Sequence, residues 1–417
     1  MAQGRIAYRD GDGRWQWTET TDPRAFTQKD ADSEQLIGGM FTVTFEDVIG
    51  ETGVGFDDPD SGTSRRETLE NVLLYLSSVL DVPGTADFVV RASQTDGSGA
   101  LASAGPYLFP MTGFQGGLVY EHLTTGVDPL ADDADGTVSV DFGYPWNANT
   151  GSPSAIEFDL YSALLHEVTH ALGIISIAGS DATSALLNVD GAGLFSLFDA
   201  LLVRGSLERQ LFLAGGEINA VPDDVTSRDL VFSGARSRAS LGEFPAVFAP
   251  NPFLEGSSIG HWSPDTSSNA VMLPGLNRGV ERRTFTEWEL QALGDLGYDV
   301  IACGDGFIAG AEECDGANSD EEDACDSSCR FTPEPEPDPD PIPPPVPVAD
   351  AGVPDPMLGA EDPTPSPAPE DPAERPTATA SLQSSGGCNV RHPGLGGSSF
   401  AILLLLLGVV RGRRSER

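Results

Sequence analysis

The sequence predicts an α+β domain over residues 36–302, a mixed sheet with a few helices followed by a loop-rich half. Three observations predict it. Between residues 40 and 142, stretches that alternate apolar and polar side chains surround one stretch of helical period. Two later segments, 158–173 and 285–298, carry helix start and stop signals. Between them, residues 174–260 are richer in glycine and proline, which argues for an irregular second lobe.

The elements follow in order. Residues 1–35 are polar and expected to be loosely ordered. "MFTVTFEDV" (40–48) opens the globular pattern as a strand, and "ETLENVLLYLSSVL" (67–80) sets its apolar residues at helical spacing. "ADFVVRAS" (86–93) reads as a second strand and "TVSVDF" (137–142) as a third. "FDLYSALLHEVTHALG" reads as a helix with Asp159 as N-cap, Leu164, Val168, Ala171 and Leu172 on its apolar face, and Gly173 as its stop. In "FTEWELQALGDLGY" (285–298), Thr286 and Glu289 form a capping box, Leu290, Leu293 and Leu296 a core stripe, and Gly297 the end.

Composition narrows the function. The net charge is −41 and Lys29 is the only lysine. Phosphate would be repelled, so nucleic acid and anionic membrane surfaces are excluded as partners. The balance fits a soluble, exported protein, and a monomer is expected. All five cysteines lie beyond residue 300, so residues 1–302 must fold on a hydrophobic core without disulfides. No thiol upstream of the central motif can plug a metal site. "MAQGRIAYRDGDGRW" at the start has no apolar run, so no signal peptide is readable and an upstream start is expected.

The chemistry concentrates in "LLHEVTHALGIIS" (164–176). Four apart on a helix, His166 and His170 project from one face and can both reach one Zn²⁺ at about 2.0–2.1 Å. Glu167 beside them can accept a proton from a metal-bound water, whose pKa zinc lowers towards about 7. Five histidines in 417 residues give roughly 0.06 such histidine pairs by chance, before any glutamate is required. Catalytic zinc usually takes three protein ligands. Ser176 stands three residues past Gly173, where a longer form of the motif carries the third. His392 sits in the tail. His122, in "LVYEHLTTG", reads as a structural histidine in a sheet or loop, whereas His261 lies in the glycine-rich "GSSIGHWSPDTSSNAVMLPG". Another zinc-protease class would use a downstream glutamate, for which Glu208 and Glu217 are the candidates.

"HEVTHALG", a long insertion, "GHWSPDTSSNAVML" and "FTEWELQALGDLGY" together resemble the leishmanolysin-like branch of the metzincin zinc endopeptidases. That branch displaces its third histidine downstream, shortly before a methionine turn. The resemblance implies zinc ligands His166, His170 and His261, Glu167 as general base, and Met272 in the turn under the metal. It also implies a two-lobed metzincin-like domain with a cleft between the lobes. There the sheet edge of the first lobe could pair with an extended peptide. Calcium is a further candidate for the loops, but "ADDADG" (131–136) is not an EF-hand, since its first and twelfth ligand positions are Ala131 and Phe142.

Three modules follow the domain. Residues 303–330 hold Cys303, Cys314, Cys325 and Cys329 with almost no apolar residues, which favours two disulfides in one of three connectivities; a zinc knuckle is the alternative, disfavoured by the acidic surroundings. The "CGDG" and "ECDG" signatures resemble a small cysteine-rich repeat of secreted myxobacterial proteins. Residues 331–386, rich in proline and acids, read as an extended spacer. In the tail, 387–417, the apolar run Phe400–Val410 covers 11 residues and precedes Arg411, Arg413, Arg414 and Arg417. That is short of the roughly 20 residues that span a bilayer. The tail resembles a myxobacterial C-terminal sorting signal, which implies anchoring near Cys388; a degenerate single-pass anchor is the alternative. Membrane contact is expected through this tail alone.

The sequence thus predicts a secreted or surface-anchored zinc endopeptidase acting on protein or peptide substrates. The rival expectation is an idle surface adhesin or scaffold that keeps zinc for structure.

Overall fold

The computed structural model describes residues 5–10, 13–19, 36–46, 54–94, 99–131 and 133–301, together with residues 314, 325, 330 and 331. It is a mixed α+β architecture with several sheets and few helices.

The chain opens with a β-hairpin, β1 (Arg5–Arg9) antiparallel to β2 (Trp15–Glu19) with Ala7 opposite Trp17. Polar composition argues for a loose segment here, and this stretch departs from that expectation. The reason is tertiary. Ile6 and Ala7 are fully buried, Ile6 among Val89, Tyr107 and Leu118, and Ala7 among Leu108, Ile177 and Leu194.

The main sheet is built from β3 (Leu36–Ile37), β4 (Phe41–Glu46), β5 (Ala86–Ser93) and β6 (Ala102–Pro106), with helix α1 (Gly62–Val79) connecting β4 to β5. The short strand β7 (Gly113–Gln115) and helix α2 (Leu118–Thr125) lead to its last strand, β8 (Gly136–Asp141). The strand order is β3-β4-β5-β8-β6. Strands β4, β5 and β8 run parallel, and β6 returns antiparallel along the outer edge. Central parallel strands are covered on both faces, which is why β5 reads as the near-continuous apolar run "ADFVV". By contrast β6, "ASAGP", has no strand signature in its residues, and pairing with β8 makes it a strand. His122 lies in helix α2, not in a sheet or loop.

Strands β9 (Trp146–Asn147) and β10 (Phe158–Asp159) pair in parallel and deliver the chain into α3 (Leu160–Ala171). Asp159 caps this helix, accepting from Ser162 N at 3.1 Å. The expected apolar face is only part of what α3 buries: Leu160, Ala163 and Leu165 are also fully buried. The helix is covered all round, with β6 and α1 among its neighbours.

The second half carries short strands: β11 (Asn188–Val189), β12 (Ala192–Ser196), β13 (Leu202–Arg204), β14 (Arg209–Gln210), β15 (Phe212–Leu213), β16 (Glu217–Ile218) and β17 (Leu230–Phe232). A parallel pairing of β7 with β12 ties this half to the first. Helices α4 (Ala235–Leu241) and α5 (Glu287–Leu296) pack together. Asp295 of α5 accepts from Arg236 N and Ser237 N at 2.8 and 2.9 Å, satisfying donors at the start of α4 that have no partner within that helix. One continuous core runs from Phe41 and Leu73 through Leu164 to Phe198, Trp262 and Leu293.

Beyond residue 301, a disulfide joins Cys314 to Cys325. Cys303, Cys329, Cys388, the spacer and the tail lie outside the described residues. Among the described residues no helix is long and apolar enough to cross a membrane.

Candidate metal centre

Helix α3 positions the first two functional side chains. His166 and His170 are buried on one face of it, and Glu167 is fully buried beside them. Gly173 ends the helical run with φ 111°, a conformation that favours glycine, and the chain turns back under the helix. That turn brings the Ile174 carbonyl to His170 Nδ1, at 2.7 Å.

His261 arrives from a loop 91 positions downstream of His170. Two backbone bonds hold the approach: Phe248 N donates to His261 O at 2.8 Å, and Ile259 N to Phe248 O at 2.7 Å. Ile259 adopts φ 59°, costly for a β-branched residue and sustained here by its complete burial. Gly260 runs alongside Ser176, where a Cβ would come 3.5 Å from Ser176 N.

The three imidazoles converge. His261 Nε2 lies 3.1 Å from His166 Nε2 and 3.2 Å from His170 Nε2. Each opposite ring nitrogen faces a backbone carbonyl: His166 Nδ1 to Val271 O at 2.9 Å, His170 Nδ1 to Ile174 O, and His261 Nδ1 to Ser257 O at 2.8 Å. A carbonyl only accepts, so each Nδ1 carries the proton and each Nε2 presents a lone pair. Burial depresses all three pKa values, that of His166 to about 4, which keeps the rings neutral. Three lone pairs at this separation repel one another unless a cation sits between them. Tetrahedral coordination at about 2.0–2.1 Å requires nitrogens roughly 3.3 Å apart. The group could therefore hold a metal ion.

The turn at residues 271–272 supports the site from below. Val271 supplies the carbonyl for His166, while Met272 is fully buried, its N–H donating to Glu289 Oε1 at 3.0 Å. Glu289 is therefore more than the capping residue its spacing suggests. Its other oxygen accepts from Thr286 N at 3.1 Å and from the Thr286 hydroxyl at 2.9 Å, so one buried carboxylate joins the start of α5 to the turn.

Ser176 is committed elsewhere. Its hydroxyl donates to Asp199 Oδ1 at 2.5 Å, and Asp199 also accepts from Ile177 N and Ser196 N at 2.9 and 3.0 Å. Burial pushes Asp199 up to about 6. Asp199 had no motif to mark it in the sequence. The alternative ligands Glu208 and Glu217 are exposed and outside the histidine group.

His122 belongs to a different cluster. Its Nδ1 meets Asp135 Oδ2 at 2.8 Å and its Nε2 meets Thr85 Oγ1 at 3.1 Å. Asp87 and Asp128 stand near it in a metal-like grouping, but both ring nitrogens already have protein partners. The structural reading of His122 fits that geometry.

No protein-family model, curated protein or solved structure matches this chain.

Proposed function

We propose that the chain is a zinc-dependent endopeptidase of metzincin type. The observation that carries the reading is the convergence of three neutral Nε2 atoms, two from the buried helix α3 that also carries Glu167 and one from the loop of His261. Three imidazole nitrogens suit zinc, and three protein ligands leave one position of a tetrahedron open. The histidine group holds three ligating side chains among the described residues, whereas a purely structural site would close the fourth position with another. When bound, zinc polarises a carbonyl and acidifies water.

The remaining steps belong to this chain's own residues. Glu167 takes a proton from the attacking water and passes it to the leaving amine. Backbone carbonyls of Val271, Ile174 and Ser257 fix the three ring orientations, as partners of metal-ligating histidines do. Strand β6, on the outer edge of the sheet, is the element against which an extended peptide would pair. The reading extends to a monomeric enzyme working outside the cell on protein or peptide substrates.

The test is hydrolysis of a denatured protein by the full zinc-loaded chain, beside Glu167→Gln. Cleavage by the parent, with zinc retained and rate lowered about 10²–10⁴-fold in the variant, supports the proposal. A folded, zinc-loaded parent that cleaves nothing across many substrates favours the scaffold reading.

A further inference from the structure

A second cluster of metal-ligating side chains lies outside the histidine triad, where the central strands β5 and β8 begin. Thr85 and Asp87 come from the start of β5, His122 from α2, Asp128 from the loop after α2, and Asp135 from the residue before β8. One donor atom each from Asp87, His122 and Asp128 lies within 4.8 Å of the other two. Donors on one divalent ion, bound at about 2.0–2.6 Å, stand at most roughly 4–5 Å apart. The backbone makes room for this approach. Gly84 N donates to Leu123 O at 2.9 Å, and a Cβ on Gly84 would come 1.9 Å from His122 O, so glycine is what lets the Thr85 segment lie against α2.

His122 is oriented as a metal ligand is. Its Nδ1 faces the Asp135 carboxylate at 2.8 Å. A carboxylate only accepts, so Nδ1 carries a proton and the neutral ring presents its Nε2 lone pair on the other side. A carboxylate behind the ring is the usual partner of a metal-bound histidine. Nε2 meets the Thr85 hydroxyl at 3.1 Å, much as the nitrogens of the triad stand 3.1 and 3.2 Å apart. A hydroxyl can turn its hydrogen away, so Thr85 Oγ1 can stand beside Nε2 as a second ligand.

Two observations call for a cation here. Asp87 and Asp135 are buried, and the charges that bear most on His122 are Asp135, Asp128 and Asp87, all carboxylates. One imidazole, even protonated, offsets only one of the three, and buried charge without compensation is costly. In addition, Asp135 Oδ1 is buried with no hydrogen-bond partner among the described residues, while Oδ2 also accepts from Asp87 N at 2.9 Å. The half-buried Asp128 is held by its own loop, Oδ1 accepting from Leu130 N and Ala131 N at 2.8 and 2.7 Å.

We propose that Asp87, His122 and Asp128 bind a divalent transition-metal ion, with the Thr85 hydroxyl as a further ligand and Asp135 orienting the ring from behind. One nitrogen among oxygens suits Mn²⁺ or Zn²⁺, whereas Ca²⁺ and Mg²⁺ take oxygen alone. The ion ties the segment between α2 and β8 to the start of β5, so the role of His122 stays structural. None of these residues belongs to the histidine triad, and the inference stands apart from the endopeptidase reading.

Its test counts metal in the full chain, kept under non-reducing conditions, after loading with Zn²⁺ or Mn²⁺ and desalting. The parent should carry two zinc ions, His261→Ala one, and His261→Ala combined with Asp128→Asn none. Asparagine keeps an acceptor for the Leu130 and Ala131 N–H groups, so circular dichroism should not change. In the His261→Ala chain, Asp135→Asn should weaken Mn²⁺ binding about 10–100-fold, read from the paramagnetic resonance of free Mn²⁺. A His261→Ala chain that holds neither ion overturns the proposal whatever Asp128→Asn does, and leaves His122 and Asp135 an ordinary ion pair. A second ion that persists in both Asp87→Asn and Asp128→Asn also overturns it, since that ion is then bound elsewhere.

Discussion

The Nε2 atoms of His166 and His261 stand 3.1 Å apart although 95 positions separate them in the chain. Neither ring holds the other there. Val271 O fixes the first and Ser257 O the second. Both nitrogens present lone pairs to a common centre, where the group could hold a metal ion.

Metal removal should therefore lower stability. At a free metal concentration about a thousand times the dissociation constant, binding contributes about 4 kcal/mol. Calorimetry of the full chain with and without a chelator should show that loss, restored by zinc. His261→Ala should reduce the metal content and the chelator effect. A variant that keeps both in full would mean the third ligand lies elsewhere.

Glu289 should govern metal affinity from a distance. Truncation to alanine strands the buried Met272 N–H and loosens the turn that carries Val271 O. The expected cost is about 1–3 kcal/mol of stability and about 10–100-fold in zinc affinity. Competition with a chromophoric chelator reads the second number. Glu289→Gln keeps an oxygen for Met272 and should lose less. If the alanine variant binds zinc like the parent, the turn does not orient His166.

The Arg283–Asp159 pair should hold the motif helix in place. Arg283 donates to both carboxylate oxygens, at 2.6 and 3.0 Å, and Asp159 is fully buried while it caps α3. Arg283→Met leaves that buried charge without its cation, which costs about 3–5 kcal/mol. Urea denaturation measures it. A loss under about 1 kcal/mol would place the pair with ordinary surface bridges.

Asp199 should make stability fall with rising pH. Burial raises its folded pKa to about 6 from an ordinary 3.8. Between those values the folded state holds a proton that the unfolded state has released, so stability decreases as pH rises through the window. The full effect is roughly 3 kcal/mol, complete above about pH 6. Asp199→Asn should flatten the slope in denaturant titrations between about pH 4 and pH 7, and an unchanged slope would assign it to other groups.

Much of the local structure was legible. The caps at Asp159 and Thr286 and the αL glycines Gly173 and Gly297 stand where helix signals put them. Strands β4, β5 and β8 could be read because their alternation or apolar runs are short-range patterns. Strand β6 could not, because small residues carry no such pattern and the neighbouring strand supplies its hydrogen bonds. The hairpin escaped for a similar reason: its apolar residues are few, and what buries them lies about 100 positions or more away in Leu108, Ile177 and Leu194.

By itself, the sequence determined a helix with two histidines and a glutamate on it, because spacing along a helix dictates which side chains share a face. Which residue joins them was a tertiary decision. The glycine-rich stretch around His261 set it apart from His122 in the sequence, but only packing placed the rings: α2 points one at Asp135 and Thr85, while the 257–261 loop aims the other at the motif helix. The commitment of Ser176 to Asp199 and the placement of Arg9 at the cavity beside His170 were decided in the same way, by segments far apart in sequence packing together.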